Sequence, residues 1–328
     1  LISMIISRTP FRVSFIGGGS DLKEYYASNR YGSVISTSIQ KYMYIVIHPY
    51  FHDKIRLKYS ITEDVRSVDE IKHPILRESI KKVNIDNGIE IASFADIPSG
   101  TGLGSSSSFT VGLLKALYEY EGISKSSNQL AKEACEIEIN ILKEPIGKQD
   151  QYAAAVGGLN QIKFYQNEKV EILPLDLSQR FIKEFESTFR LYYTGDKRSS
   201  SSILKEQKQN MKNEDKLSML QKMVALTEDF KNALFKEDLN SVGKLLDYNW
   251  ELKKQLASNI SNKNIDLMYQ EALRKGAIGG KLLGAGGAGF LMIMAFDHSP
   301  IENVLNCKSI GLKIEQSGTK IINSDKRF

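Results

Sequence analysis

Between Gly195 and Gly276 the chain holds one glycine, Gly243, and no proline, while Leu, Lys, Glu, Gln and Asn dominate. So long a stretch with a single backbone breaker and that composition reads as several consecutive amphipathic helices. The flanks differ. Ile35 to Ile47, Ile55 to Tyr59, Leu159 to Phe164 and Phe290 to Phe296 are rich in β-branched and aromatic residues and read as strands. Strands first, helices grouped, then strands again predict an α+β architecture rather than a regular βαβ array. A chain of 328 residues has room for two cores that share an interface, and therefore for a cleft between them. The expected division is 1–170 and 171–328.

Hydrophobic residues at 41% and charged residues at 25% are globular values and exclude disorder and fibre. The longest apolar run, Phe290 to Phe296, is far shorter than the roughly 20 residues of a membrane span. Leu1-Ile2-Ser3-Met4 does not lead a basic segment into an apolar run, so no membrane partner and a cytoplasmic location are expected. Cys135 and Cys307 have no close spacing, which excludes a disulfide framework and fits a reducing compartment. The net charge of +5 is spread along the chain, which suits small anionic ligands and not nucleic acid. His48, His52, His73 and His298 form no pair with zinc-site spacing and read as ordinary surface or core residues. Homodimerisation is compatible with the sequence, which does not fix the oligomeric state.

Three glycine-rich segments carry the chemistry. In the second, Ile97-Pro98-Ser99-Gly100-Thr101-Gly102-Leu103-Gly104-Ser105-Ser106-Ser107-Ser108 runs into a helical pattern, Phe109 to Tyr120, closed by Gly122. Glycines let backbone approach an anion, N–H groups of a first helical turn are unpaired, and serine hydroxyls add donors, so a polyphosphate fits there. No Gly-Lys-Ser/Thr ending occurs, so this is not a Walker A loop. The third, Gly284-Ala285-Gly286-Gly287-Ala288-Gly289, has the glycine spacing of a dinucleotide fingerprint but precedes a strand instead of opening a helix, which argues against a nicotinamide enzyme. The first, Arg8 to Asp21, puts a strand ahead of Gly17-Gly18-Gly19-Ser20-Asp21. Asp21 there could accept hydroxyl hydrogen bonds or cap a helix over Leu22 to Ala27.

Pro10 to Asp21, Pro98 to Ser106 and Lys281 to Gly289, in that order and spacing, resemble the three motifs of the GHMP kinase superfamily of galactokinases, homoserine kinases, mevalonate kinases and phosphomevalonate kinases. The resemblance covers essentially the whole chain. It implies a two-domain GHMP kinase fold, with an N-terminal domain like the second domain of a ribosomal small-subunit protein and a ferredoxin-like C-terminal domain. It implies ATP as phosphoryl donor, held by Pro98, Gly100, Gly102, Leu103, Gly104, Ser105, Ser106 and Ser107. Glu144-Pro145-Ile146-Gly147-Lys148-Gln149-Asp150-Gln151-Tyr152 resembles the stretch with the family's catalytic aspartate, which matches Asp150, beside a basic residue from the first motif, here Arg12. Phosphoryl transfer needs an in-line hydroxyl, a carboxylate near its proton and cations on the phosphate oxygens. The competing reading has Asp150 only capping a helix over Gln151 to Val156.

Over the helical pattern Asn128 to Leu142, apolar Leu130, Ala131, Ala134, Ile137, Ile141 and Leu142 mark one face. Glu138 falls within it while Glu136 points away, and a carboxylate on an apolar face needs a partner. The resemblance makes Glu138, with Ser106, a ligand of Mg²⁺; a structural salt bridge is the alternative.

Galactokinases carry Glu-His where this chain has Gly18-Gly19, a departure that moves the acceptor away from galactose. The Gly-Gly-Gly-Ser-Asp form, the segment around Asp150 and Tyr193 to Ser200 are most similar to the bacterial D-glycero-D-manno-heptose 7-phosphate kinases, which act on the anomeric C1 hydroxyl. On that resemblance Gly17, Gly18, Gly19, Ser20, Asp21, Gly286 and Gly287 face the sugar. Lys148, Lys197 and Arg198 become candidates to hold a phosphate already on it. A fucokinase-like enzyme of an unphosphorylated sugar and a non-catalytic sugar- and nucleotide-binding relative are the alternatives.

Overall fold

The computed structural model describes residues 2–195 and 201–326, without the side chains of 2, 3, 325 and 326. In chain order its strands are β1 (Ile2–Ile16), β2 (Gly32–Pro49), β3 (Ile55–Lys58), β4 (Thr62–Val65), β5 (Ile89–Ala95), β6 (Leu159–Phe164), β7 (Val170–Pro174), β8 (Phe189–Tyr193), β9 (Gly279–Leu282), β10 (Phe290–Met294), β11 (Ser309–Gly311) and β12 (Lys320–Lys326). The helices are α1 (Lys23–Tyr26), α2 (Pro74–Val83), α3 (Ser105–Tyr120), α4 (Ser127–Cys135), α5 (Gln149–Val156), α6 (Gln179–Ser187), α7 (Ser201–Asn210), α8 (Glu214–Phe235), α9 (Leu239–Lys254), α10 (Lys263–Arg274) and α11 (Ser299–Leu305). The glycine-poor run is helical as expected, in α7 to α10.

An eight-stranded sheet is ordered β12-β1-β2-β5-β3-β4, with β6 also on β2 and β7 on β6. The long β2 makes this possible. One of its edges pairs with β1, while the other is divided between β6, along Gly32 to Thr37, and β5, along Met43 to Pro49. Helices α3 and α5 pack on β1 and β2. The second sheet, β11-β8-β10-β9, is antiparallel throughout, and α9 and α10 lie against it.

Two strand pairings cross the expected division at residue 170. Strand β7 extends past it and completes the first sheet through β6, and the chain returns at β12 to pair with β1. Both pairings follow from the cost of leaving a long strand edge unpaired.

The two halves meet on aromatic packing. Phe15, from the end of β1, lies 5.5 Å from Phe185 of α6, 5.4 Å from Phe189 of β8 and 5.8 Å from Phe230 of α8, ring centre to ring centre. All four rings are buried. The first glycine-rich loop leaves β1 directly after Phe15 and Ile16, so this cluster fixes where that loop starts. Truncation of Phe15 to Ala removes the ring common to all three contacts and is expected to destabilise the protein by about 3–5 kcal/mol, the cost of a large core cavity, seen as a lower urea midpoint by circular dichroism.

Candidate active site

A cleft of about 540 Å³ opens between the sheets, and all three glycine-rich loops reach it. The second loop makes the turn into α3 through Gly104, which is the helix N-cap in a left-handed conformation and offers no side-chain cap. Ser108 is the first residue whose N–H returns to the turn, donating to the Gly104 carbonyl. The first-turn N–H groups at Ser105, Ser106 and Ser107 are therefore the orphan donors of a helix start, and all three residues line the cleft. Gly102 is required by contact. A Cβ there would stand 2.5 Å from the Leu283 carbonyl oxygen, because the second and third loops touch backbone to backbone.

Across from α3, Arg12 of β1 forks onto Asp150 in the first turn of α5. Nε donates to Oδ1 and Nη2 to Oδ2, each at 2.7 Å. The remaining Nη1 donates to the Gly102 carbonyl at 2.6 Å, so one guanidinium fixes the carboxylate and the second glycine-rich loop together. The reading of Asp150 as a mere helix cap is set aside: the N-cap is Lys148, without a side-chain bond, and the carboxylate goes to Arg12. Asp21 does not cap α1 either. Its Oδ1 accepts from the N–H of Gly19 and from Gln149 Nε2, and its Oδ2 accepts from the N–H of Gln149, so it holds the start of α5 against the first loop. That approach requires Gly147, where a Cβ would lie 2.0 Å from Asp21 Oδ2. Burial, reinforced by the nearby Asp150 charge, raises the Asp21 carboxyl above its ordinary value.

Glu138 lies on a single π-helical stretch, Glu136–Ile141, that continues α4 where an uninterrupted helix to Leu142 was expected. The face assignment holds for the two carboxylates and fails at Ile141. Glu138 is fully buried and Glu136 is exposed and pairs with Lys82, but Ile141, at the end of the π-helical stretch, is exposed rather than on the buried face. Glu138 Oε1 accepts from Ser106 Oγ at 2.8 Å and Oε2 from Gln151 Nε2 at 2.7 Å. Burial nevertheless pushes its carboxyl up to about 7, because no cationic side chain pairs with it among the described residues. A buried carboxylate and a hydroxyl side by side at the head of the phosphate cradle fit Mg²⁺, which takes few protein oxygens and fills its sphere with phosphate oxygens and water.

Several expected residues stand elsewhere. Gly17 and Ser20 are interior: Gly17 lies tight against the Ser33 backbone, and the Ser20 hydroxyl donates to the carbonyls of Gly17 and Ser33. Pro98 lies outside the wall, Leu103 is core with its carbonyl accepting from the Arg12 N–H, and the Gly287 N–H donates to the Ile260 carbonyl. Lys148 is drawn away from the cleft by Glu168 and lies over the Tyr26 ring at 5.0 Å. Lys197 and Arg198 fall outside the described residues. Gly18, Gly19, Gly100, Gly102, Gly104 and Gly286 do line the cleft.

Other wall residues escaped the sequence reading. Ser14 Oγ and Gln149 Oε1 are buried, lack a partner among the described residues and flank the side-chain-free Gly18. Lys253 and Lys281 bring buried ammonium groups. Lys253 follows Leu246 and Trp250 at helical spacing, the same polar-on-apolar-face signal that marked Glu138. His73, at the opposite end, packs between the Tyr59 and Phe109 rings at 4.8 and 5.3 Å, making that end aromatic.

An orphaned helix N-terminus facing an arginine-clamped carboxylate defines the cleft as that of a phosphotransferase acting on an alcohol. The chain belongs to the GHMP kinase family: residues 71–158 match the GHMP kinases N terminal domain, and residues 230–307 match the GHMP kinases C terminal model. It is 30% identical over 302 residues to the D-glycero-alpha-D-manno-heptose 7-phosphate kinase of Campylobacter jejuni, covering 88% of each chain. A D-glycero-D-manno-heptose 1-phosphate kinase structure from Bacteroides thetaiotaomicron superposes with a TM-score of 0.77 at 26% identity, over 97% of this chain and 99% of that one. The Lactococcus lactis galactokinase structure, at 18% identity and a TM-score of 0.76 over 97% of this chain and 95% of its own, shares the fold. As in the family, ATP is the donor. No helix among the described residues is long and apolar enough to cross a membrane.

The raised carboxyl of Glu138 gives a signed prediction. Protonation is favoured in the folded state, so the stability it contributes is full below about pH 4.5 and is lost as pH rises through about 7. Glu138→Gln, whose amide can donate to the unpartnered Gln151 Oε1 after that side chain flips, escapes this loss. Its urea midpoint relative to the parent protein, both without nucleotide, is expected to climb between pH 5 and pH 8 by the equivalent of about 3 kcal/mol. A pH-independent difference would contradict the assignment.

Proposed function

We propose that this kinase phosphorylates a sugar phosphate, and specifically the C1 hydroxyl of D-glycero-D-manno-heptose 7-phosphate, yielding the 1,7-bisphosphate and ADP. The observation that carries the reaction is the Arg12 fork on Asp150 beside the Gly102 carbonyl. It supports a carboxylate fixed next to the loop that cradles the phosphates. The acceptor class is supported by Ser14 Oγ, Gln149 Oε1 and Asp21 around Gly18, a cluster of hydrogen-bonding groups suited to a polyol, and by the kinship with heptose phosphate kinases. The aromatic end, at Tyr59, His73 and Phe109, suits a purine base.

In the proposed mechanism the first-turn N–H groups of α3 orient the triphosphate. Asp150 accepts the proton of the acceptor hydroxyl as its oxygen bonds the γ-phosphorus. The bond from that phosphorus to the bridging oxygen breaks, and the electron pair leaves with ADP. Arg12 keeps Asp150 aimed at the hydroxyl. Ser106 and Glu138 would hold Mg²⁺, which when bound neutralises phosphate charge.

Phosphorus NMR of a mixture of the protein, ATP, Mg²⁺ and heptose 7-phosphate is expected to reveal a new anomeric phosphate, while a coupled ADP assay with fucose stays at background. Turnover on fucose but not on the heptose phosphate would select the fucokinase-like reading. Asp150→Asn is expected to lower turnover at least about a hundredfold, and near-normal turnover would remove it from the mechanism. With Lys148 engaged by Glu168, Arg198 becomes the remaining bidentate candidate for the 7-phosphate. Arg198→Ala is expected to raise KM for the phosphorylated sugar at least about tenfold at constant kcat; an unchanged KM excludes the role.

A further inference from the structure

Two ammonium groups reach the cleft, and they differ in what they have left to give. Lys281, on β9, is committed to β1, donating to the carbonyls of Ser14 at 2.9 Å and Phe15 at 3.2 Å. Lys253, near the end of α9, donates to the Gly284 carbonyl and forms no ion pair among the described residues. An ammonium has three donors, so two of its N–H bonds are open. The side chain is nonetheless 4% exposed and on the cleft wall. The charged groups around it are Arg12, Asp21, Asp150 and, toward β9, Lys281. Both carboxylates are already occupied, Asp150 by Arg12 and Asp21 by Gly19 and Gln149. Burial first, and then the Arg12 charge, lower the Lys253 ammonium to about 8.

The location of Lys253 selects its ligand. Gly284 meets the second loop at Gly102, where the ideal Cβ of Gly284 would fall 2.6 Å from the Gly102 Cα. The Gly102 carbonyl is in turn held by Arg12, which holds Asp150. Lys253 therefore stands at the seam of the second and third loops, within electrostatic reach of the Asp150 carboxylate. A desolvated cation with free donors at that seam is complementary to an anion between Asp150 and the phosphate cradle. From this geometry we infer that Lys253 is a catalytic residue whose ammonium donates to the non-bridging oxygens of the phosphoryl group as it passes from ATP to the acceptor. The inference rests on the kinase reading above and adds a protein cation to the transferring group, a role that Arg12, committed to Asp150 and Gly102, does not fill. The alternative is a tether, in which Lys253 only ties α9 to the third loop through Gly284.

Lys253→Met keeps the apolar stem and removes the charge. Measured with ATP, Mg²⁺ and heptose 7-phosphate, it is expected to lower kcat at least about a hundredfold, with the acceptor KM and the affinity for ADP within about threefold of the parent. Lys253→Arg, which restores a cation, is expected to recover part of kcat. Titration of ADP with and without beryllium fluoride, a phosphoryl mimic, needs no acceptor: the gain in affinity from the fluoride is expected to be lost in Lys253→Met. A kcat within threefold of the parent, a rise confined to the acceptor KM, or a kcat loss matched by an equal loss of ADP affinity would each overturn the inference, the last in favour of the tether. If the parent turns over no sugar phosphate, the acceptor assignment fails while the fluoride titration still decides the role of Lys253. Should the Met variant not fold, Lys253→Gln is put through the same measurements.

Discussion

The fork from Arg12 to Asp150 and Gly102 is the constraint on which the active site depends. It ties together three elements that share no covalent neighbourhood: the middle of β1, the first turn of α5 and the glycine-rich turn into α3. Arg12 is buried, so its charge cannot be left alone, and removing one partner from such a pair typically costs about 3–5 kcal/mol. The same contact fixes the Asp150 carboxylate relative to the unpaired first-turn N–H groups of α3. Preorganisation of that kind is more valuable to catalysis than to folding, since a buried ion pair is a weak source of net stability.

Much of this was legible beforehand, for identifiable reasons. The helical block and the strands around it follow from local pattern, and β6 runs from Leu159 to Phe164 as the β-branched and aromatic content indicated. Glu138 was visible because a carboxylate on an apolar helical face is costly wherever the helix packs. Lys253 carried the same kind of signal at the spacing of Leu246 and Trp250, yet no motif drew attention to it. What local pattern could not reveal is orientation within a motif. Gly17, Gly18, Gly19 and Ser20 are consecutive, but Gly18 and Gly19 face the cleft while Gly17 and Ser20 turn onto the Ser33 backbone. Lys148 has the charge expected of a phosphate ligand and is engaged here by Glu168, a partner twenty positions away. The return of the chain through β12 was invisible for a related reason: strand pairing at that separation is decided by an edge in need of a partner, and no residue of the strand announces it.

The most informative electrostatic feature is a pair of groups that do not meet. Glu138 and Lys253 are both buried in the wall of one cleft, and burial moves them in opposite directions, the carboxyl up to about 7 and the ammonium down to about 8. Each shift has the same origin, the loss of water around a charge that the described residues do not neutralise. Paired with one another they would cancel, and the apoprotein would gain from it. They are held instead by different neighbours, Glu138 by Ser106 and Gln151 and Lys253 by the Gly284 carbonyl. A metal–polyphosphate supplies both missing partners at once, a cation for the carboxylate and anionic oxygens for the ammonium. A neutral or singly charged ligand can satisfy only one of them. On the proposed reading, the two unfavourable charges are relieved together by a bound metal–nucleotide, and the Lys253 contact is the one that strengthens further as the phosphoryl group moves, which is the condition for lowering the barrier rather than only tightening binding.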